Sequence, residues 1–334
     1  MSPELVAVLA VIVVAMVFDY TNGFHDAANA IATSVSTRAL TPRVALLIAA
    51  AGNFVGTHFG AKVAATVGSG LIEPPRNVSG LGVVFAGVVG GIAWNLITWY
   101  FGLPSSSSHA LIGGLVGAAL AGGQPVKWAG ILEKVVLPMV VSPVAGIVFG
   151  FLVMLALVWI FRKGRPTRLN RGFRWAQIGS ACAMSVGHGL QDAAKTIGVV
   201  VLALYVGGFQ DSPKDIPEWT YWTSATVLAL GTYAGGWRII RTLGRKIIDL
   251  GPPEGFASET VASSLLFVFG IGLGAPISTT HTITSAIMGV GATKKLSAVR
   301  WGVAGNIVGA WILTFPGAGC IAALTYLAVR PLFS

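Results

Sequence analysis

The sequence predicts an all-α polytopic membrane protein made of two inverted-topology repeats, with discontinuous helices and re-entrant hairpins in roughly ten to twelve membrane segments. Three observations carry that expectation. The 334 residues are 54% hydrophobic and only 10% charged, with 44 glycines, a combination that soluble domains rarely reach. Apolar runs over residues 5–18, 144–161, 261–273 and 303–313 recur down the chain, and a membrane span needs about 20 largely apolar residues. Finally, two pairs of segments repeat in the same order at nearly the same offset.

At the N-terminus, MSPEL lacks the positive region of a cleaved signal, so the first apolar run is expected to stay as a retained helix. It leads into TNGFHDAANAIAT (21–33), whose partner is GHGLQDAAKTIGV (187–199). Asp26 aligns with Asp192, Gly23 with Gly189 and Asn29 with Lys195. The apolar stretches before both motifs are short and meet glycines beside polar residues, Asn22 and Gly23 in one and Gly187, His188 and Gly189 in the other. This predicts helix breaks there, tolerated at membrane depth only against protein or a water-filled cavity.

The second repeated pair is GLPSSSSHALIGGLVGA (102–118) with GAPISTTHTITSAIMGVGA (274–292), which sets Pro104 on Pro276 and His109 on His281. In each, a hydroxyl cluster follows a proline and opens a glycine-rich apolar run, the pattern of a helix start. Between the pairs lies RKGRPTRLNRGFR (162–174), the densest basic cluster. The chain therefore divides into a first repeat (1–161), a basic linker (162–174) and a second repeat (175–334).

Basic residues concentrate in short loops between apolar runs, so the formal charge of +10 reflects topology rather than nucleic-acid binding. The linker is expected in the cytoplasm, with Arg238, Arg241, Arg245 and Lys246 on the same side. The loop of Arg38 and Arg43 corresponds to the acidic stretch 211–218, and the loop of Lys294, Lys295 and Arg300 exceeds its counterpart near Lys127 in charge. Opposite orientation of the halves, with both termini outside, satisfies these comparisons. Cys182 and Cys320 lie in apolar context and imply neither a disulfide nor a thiolate metal site.

The chemistry follows from the costs. Asp26, Asp192 and Lys195 together would cost on the order of 8–10 kcal/mol if left unpaired in a bilayer, so they are paired, hydrated or functional. Hydroxyls of Ser106, Ser107, Ser108, Ser278, Thr279 and Thr280, with free N–H groups at helix starts, can replace the hydration shell of a tetrahedral oxyanion. A carboxylate beside an anion site favours hydrogen phosphate, which has a proton to donate, over sulfate, which has none. Lys195 either stands in for a bound sodium ion, favouring proton coupling with Asp192, His188 or His25 carrying the proton, or contacts the anion directly.

These residues resemble the inorganic phosphate transporter family of secondary carriers, through both signature copies and both Pro–hydroxyl–His segments, over most of the chain. The resemblance implies a plasma-membrane importer of inorganic phosphate with alternating access and no cofactor. The substrate ligands it implies are Asp26, Asn29, Asp192, Lys195 and the six hydroxyl residues. Members with lysine at position 195 look proton-coupled, some carrying a divalent metal with the phosphate, and members with asparagine there look sodium-coupled. The second signature usually has asparagine where Gln191 stands, which bears on any coupling-ion role for Gln191. A homo-oligomer and contact with membrane lipid are compatible with this reading.

Bland roles compete at several positions. Glu259 can cap a helix or join a cation site, His109 and His281 can cross-link helices, and Asn53, Asn95 and Asn306 suit interhelical hydrogen bonds. Trp94, Trp99, Trp219, Trp222, Trp237 and Trp311 suit interfacial anchoring. A related branch carries sulfate. An anion channel is disfavoured by carboxylates that would repel the permeant ion, and an intramembrane hydrolase by the symmetric repetition of Ser and His. The sequence therefore does not read as an enzyme.

Overall fold

A computed structural model describes residues 2–333 as thirteen α-helices joined by turns, with no strand among the described residues. α1 (Pro3–Ser36) starts at Ser2, whose hydroxyl accepts the Leu5 N–H at 3.3 Å, with Pro3 already fixed in a helical φ. α2 (Pro42–Thr57) and α3 (Ala61–Ser69) meet at a 68° bend. α4 (Val78–Phe101), α5 (Ser107–Ala121), the single turn α6 (Trp128–Ile131) and α7 (Leu137–Phe161) complete the first half.

After a turn at 162–165 come α8 (Pro166–Val206), α9 (Glu218–Ala234) and the short α10 (Trp237–Arg241). α11 (Pro252–Phe267), α12 (Thr279–Ala292) and α13 (Trp301–Val329) end the chain. Six helical stretches are long and apolar enough to cross a membrane, or seven if the bent α2–α3 pair is one span. α5 and α12, at 15 and 14 residues, reach only about 22 Å of a roughly 30 Å hydrocarbon layer.

Three local expectations need correcting. The breaks expected at Gly23 and at Gly187–Gly189 do not occur, because α1 and α8 run through both motifs. Those glycines serve close approach instead: a β-carbon on Gly23 would lie 2.6 Å from the Leu228 carbonyl oxygen, and one on Gly189 2.3 Å from that of Asn53. Only the absence of a side chain lets these backbones touch. The real discontinuities separate α4 from α5 and α11 from α12. The basic linker is likewise helical from Pro166 onward, proline at a first helical position being pre-set for it. Trp311 is buried against His281 rather than placed at an interface, and its Nε1 donates to the Pro104 carbonyl at 3.0 Å.

The two motif helices pass each other antiparallel. Thr196 of α8 donates to Asp19 of α1 at 3.0 Å, while Thr37, beyond the other end of α1, donates to Gln177 of α8 at 2.7 Å. Partner choice is crossed between the halves: α1 packs on α9 and α8 on α2, while α7 packs on α11 and α12 and α13 on α4 and α5. Along α1 one apolar cluster ends at Phe18 and another begins at Ala28; along α8 they end at Met184 and begin again at Val199. The polar runs of both motifs are therefore buried between two apolar cores. Large apolar side chains such as Val140, Phe149, Trp159, Leu313 and Leu324 face outward, as a bundle surrounded by hydrocarbon requires.

Charge separates by end. The Thr37 end of α1 lies beside Gly244, whose carbonyl accepts from Ser36, and Arg300 donates to the Arg245 carbonyl at 2.6 Å. A cleft there is lined by Lys294, Lys295, Arg300 and Asp249, and α8 brings the basic stretch 162–174 to the same end through its Gln177 contact.

Candidate functional site

The site is assembled around the two real breaks. Gly102 and Gly274 adopt left-handed φ values of 65° and 61° and end the preceding helical segments, a conformation that costs other residues about 1–2 kcal/mol. A proline-containing stretch follows each, and Ser106 and Ser278 then cap α5 and α12 by accepting the N–H of His109 at 3.2 Å and His281 at 3.1 Å. Ser106 and Ser278 thus hold the helix starts; of the next two hydroxyls in each cluster, Ser107 and Thr280 donate to Asp26, while Ser108 accepts from Lys195 and Thr279 from Asn29.

Carbonyls freed by the breaks are capped from the opposite half. Arg238 donates to the Tyr100 carbonyl, and Thr242 donates to that of Gly102 at 2.9 Å. In the matching place, Lys62 donates to Ile271 at 2.9 Å and Thr66 to Gly274 at 2.8 Å. The same cation-x-x-x-Thr spacing performs both tasks, a signal present in the sequence that its motifs overshadowed.

Around Asp26, Ser107 donates to Oδ2 at 2.7 Å, Thr280 to Oδ1 at 3.4 Å, and His25 Nδ1 lies 2.6 Å from Oδ1. Asn29 donates to Thr279 and Thr280 at 3.0 and 2.9 Å, with its own Oδ1 lacking a partner. Hydroxyls from both breaks therefore meet one carboxylate of α1. On α8, Lys195 Nζ donates to Asp192 Oδ1 at 2.7 Å and to Ser108 at 2.6 Å. His188 Nε2 lies 2.9 Å from Asp192 Oδ2, and its Nδ1 faces the Asn53 amide, which also reaches Thr232. All of these groups are buried, so the site is closed to both sides in this conformation.

One carboxylate oxygen each from Asp26 and Asp192, together with a His188 nitrogen, can come within 4.8 Å of one another. Oxygen and imidazole donors of this kind suit a first-row divalent ion. The ammonium of Lys195 already neutralises one Asp192 oxygen and opposes a second cation there.

Other expected residues lie beside this cluster. The residue before each aspartate fastens a break: His25 Nε2 contacts Thr98 at 3.0 Å and Ser105 at 3.4 Å, while Gln191 bonds the carbonyls of Leu266 and Ala275 and the N–H of Ile277. Gln191 is thus engaged by backbone. Glu259 does not cap α11, a role taken by Glu254, which accepts the Gly251 N–H at 3.1 Å. It is buried in mid-helix and accepts from Thr33 and Ser180 at 2.5 Å and from Gln177 at 3.2 Å. His109 and His281 pair edge to face at 4.9 Å, with no hydrogen-bond partner on any ring nitrogen. Of the asparagines, Asn53 does bond across helices, whereas Asn95 is buried without a partner and Asn306 is exposed. The sequence reading missed Asp19, a buried acid that has no counterpart in the second motif.

Comparison with known proteins gives this geometry a context. The pattern of the phosphate transporter family matches residues 22–322. A probable low-affinity inorganic phosphate transporter of Rhizobium meliloti (strain 1021) is 48% identical over 98% of this chain and 96% of its own length. A protein of the same description from Bacillus subtilis (strain 168) is 39% identical over 98% of this chain and 99% of its own. Among solved structures, one described as the sodium-dependent phosphate transporter superposes with a TM-score of 0.89 at 25% identity, covering 98% of this chain and 99% of that one.

Proposed function

We propose, from the premise that the chain belongs to the phosphate transporter family, that it imports inorganic phosphate by proton-coupled symport, with the residues around Asp26 and Asp192 as the substrate site. The observation that carries this reading is the convergence of hydroxyls from two helix starts on Asp26 of one motif helix and on Lys195, itself paired with Asp192, of the antiparallel one. The N-termini of α5 and α12 offer partial positive charge and free N–H groups to an anion. Ser107, Ser108, Thr279 and Thr280 supply exchangeable hydroxyls, Asn29 an amide, and Lys195 a fixed charge. An ionised Asp26 accepts the proton of hydrogen phosphate, a contact sulfate cannot make.

Because the site is closed, transport requires it to open first to one side and then to the other. We read the antiparallel course of the motif helices and their crossed packing as an inverted duplication, 1–161 and 175–334 about the basic linker, whose halves rock around the site. The collected basic residues favour a cytoplasmic position for the linker in the plasma membrane. Lys195, where the first copy has Asn29, favours protons over sodium, with His25, His188, Asp26, Asp192 and Glu259 as proton-carrying groups. Sodium coupling is the second reading, favoured by the description of the structural neighbour. A divalent metal entering with phosphate would be held as cargo by Asp26, His188 and Asp192.

The test is uptake of labelled phosphate into liposomes containing the purified protein under an imposed proton or sodium gradient, with excess sulfate as competitor. Accumulation driven by protons and indifferent to sulfate is expected. A strict sodium requirement overturns the coupling, and strong sulfate inhibition overturns the substrate.

A further inference from the structure

Asp19 is completely buried in α1, where its Oδ1 accepts from Thr196 of α8 at 3.0 Å and its Oδ2 from Ser224 of α9 at 2.5 Å. Among the described residues no cationic side chain forms an ion pair with it. α4, packed on the same helix, carries no charged residue, and the only charged residue of α9 is Glu218, at its first position. On α8 the charged groups of the buried stretch are Asp192 and Lys195, and Lys195 is already held by Asp192 and Ser108. A carboxylate left ionised in such a place is costly unless something balances it.

The fold itself does not demand the acid. By the alignment of Asp26 with Asp192, the position of Asp19 in the second copy is Ser185, whose hydroxyl simply returns to its own helix at the Ala181 carbonyl, 2.7 Å away. The same place in the duplicated architecture is therefore filled without a charge. Asp19 also lies seven residues before Asp26 on α1, and Thr33, which donates to Glu259, lies seven residues after it. Seven residues are almost two turns, so the three stations share one face of α1 at steps of about 10 Å.

We propose that Asp19 is a proton-binding site coupled to transport, on the Pro3 side of the substrate site and opposite Glu259. The proton forms an O–H bond at Oδ2 and donates to Ser224, whose hydroxyl turns to the Ala193 carbonyl 3.3 Å away. On release the O–H bond breaks, the proton passes to water admitted when the bundle opens, the electron pair stays on the carboxylate, and Ser224 turns back to donate to it. Thr196 and Ala193 flank Asp192 and Lys195 on α8, so gain or loss of this proton alters a junction of α1, α8 and α9 that adjoins the substrate groups. The oxygens present, the carboxylate with two hydroxyls and one carbonyl, are fewer than the roughly six to eight that a divalent calcium ion gathers, and the sodium arm of the test below separates a proton from a monovalent cation.

The proposal rests on the proton-coupled reading above, and two readouts on the full-length protein separate the two. Infrared spectroscopy of the purified protein should show a protonated-carboxyl C=O band that disappears in Asp19→Asn and shifts in Ser224→Ala. A band unchanged in both variants, or one abolished by adding sodium to the wild type, overturns the site. In proteoliposomes, Asp19→Asn should keep phosphate–phosphate exchange within about threefold of wild type but lose at least tenfold in accumulation driven by a proton gradient, with Asp19→Glu restoring part of it. Wild-type-like accumulation in Asp19→Asn overturns the role of Asp19 while leaving proton coupling intact. A wild type indifferent to protons overturns the coupling of both, and the infrared band still reports whether Asp19 holds a proton. Should Asp19→Asn fail to insert, Thr196→Val and Ser224→Ala replace it, and unaltered gradient dependence in both counts against the proposal.

Discussion

Lys195 fills with a fixed charge the position Asn29 holds in the other copy, and the two make different bonds: Asn29 reaches the hydroxyls of α12, Lys195 a hydroxyl of α5 and its own Asp192. Breaking a buried pair leaves an uncompensated charge and costs about 3–5 kcal/mol. Lys195→Met is therefore expected to lower thermal stability in detergent and to reduce phosphate uptake at least tenfold. Lys195→Asn, which restores the residue type of the first copy, should make uptake responsive to sodium; uptake still driven by protons alone would separate Lys195 from ion choice. Asp26→Asn and Asp192→Asn should each abolish accumulation while the protein remains inserted, as checked by surface labelling beside the transport assay. These four residues stood out in the sequence because the repeated segment marks each position twice. Asp19 was not, since an acid present in one copy only looks like the polar edge of an apolar run.

Glycine and cation pairs decide how the helices meet. A β-carbon on Gly56 would lie 2.0 Å from the Val186 carbonyl oxygen, and one on Gly231 2.2 Å from that of Tyr20, so the α2–α8 and α1–α9 contacts are backbone to backbone in matching places. Gly56→Ala and Gly231→Ala must push these helices apart, and each is expected to cost about 1–3 kcal/mol, read as a lowered unfolding temperature. A glycine between polar and apolar residues signals equally a helix break or a close approach, and only the neighbouring helix decides which, so the breaks were misplaced from sequence. The breaks that do exist were legible through their prolines and hydroxyls. Their clamps were not, because Lys62, Thr66, Arg238 and Thr242 lie far in sequence from the carbonyls they cap. Thr66→Val and Thr242→Val should each weaken a clamp by about 1 kcal/mol and raise hydrogen exchange at residues 274–278 and 102–106 respectively.

For the molecule as a whole, the proposed transport cycle needs an orientation in the membrane, and the basic residues gathered at one end of the bundle bear on it. A cysteine introduced at Lys163 is expected to react with an impermeant maleimide in inside-out vesicles and to stay unmodified in right-side-out ones; the opposite pattern would invert the orientation. All-helical architecture was legible from composition, whereas the crossed packing of α1 on α9 and of α8 on α2 depends on contacts no linear pattern encodes. That crossing also constrains how the protein is made. When the ribosome has completed residue 161, Asp26 has only His25 and Ser107 beside it, and α1, α5 and α4 still lack the helices that will cover them. The first half must wait in the membrane for the second, and two fragments divided at residues 162–165 should regain transport only when synthesised in the same cell.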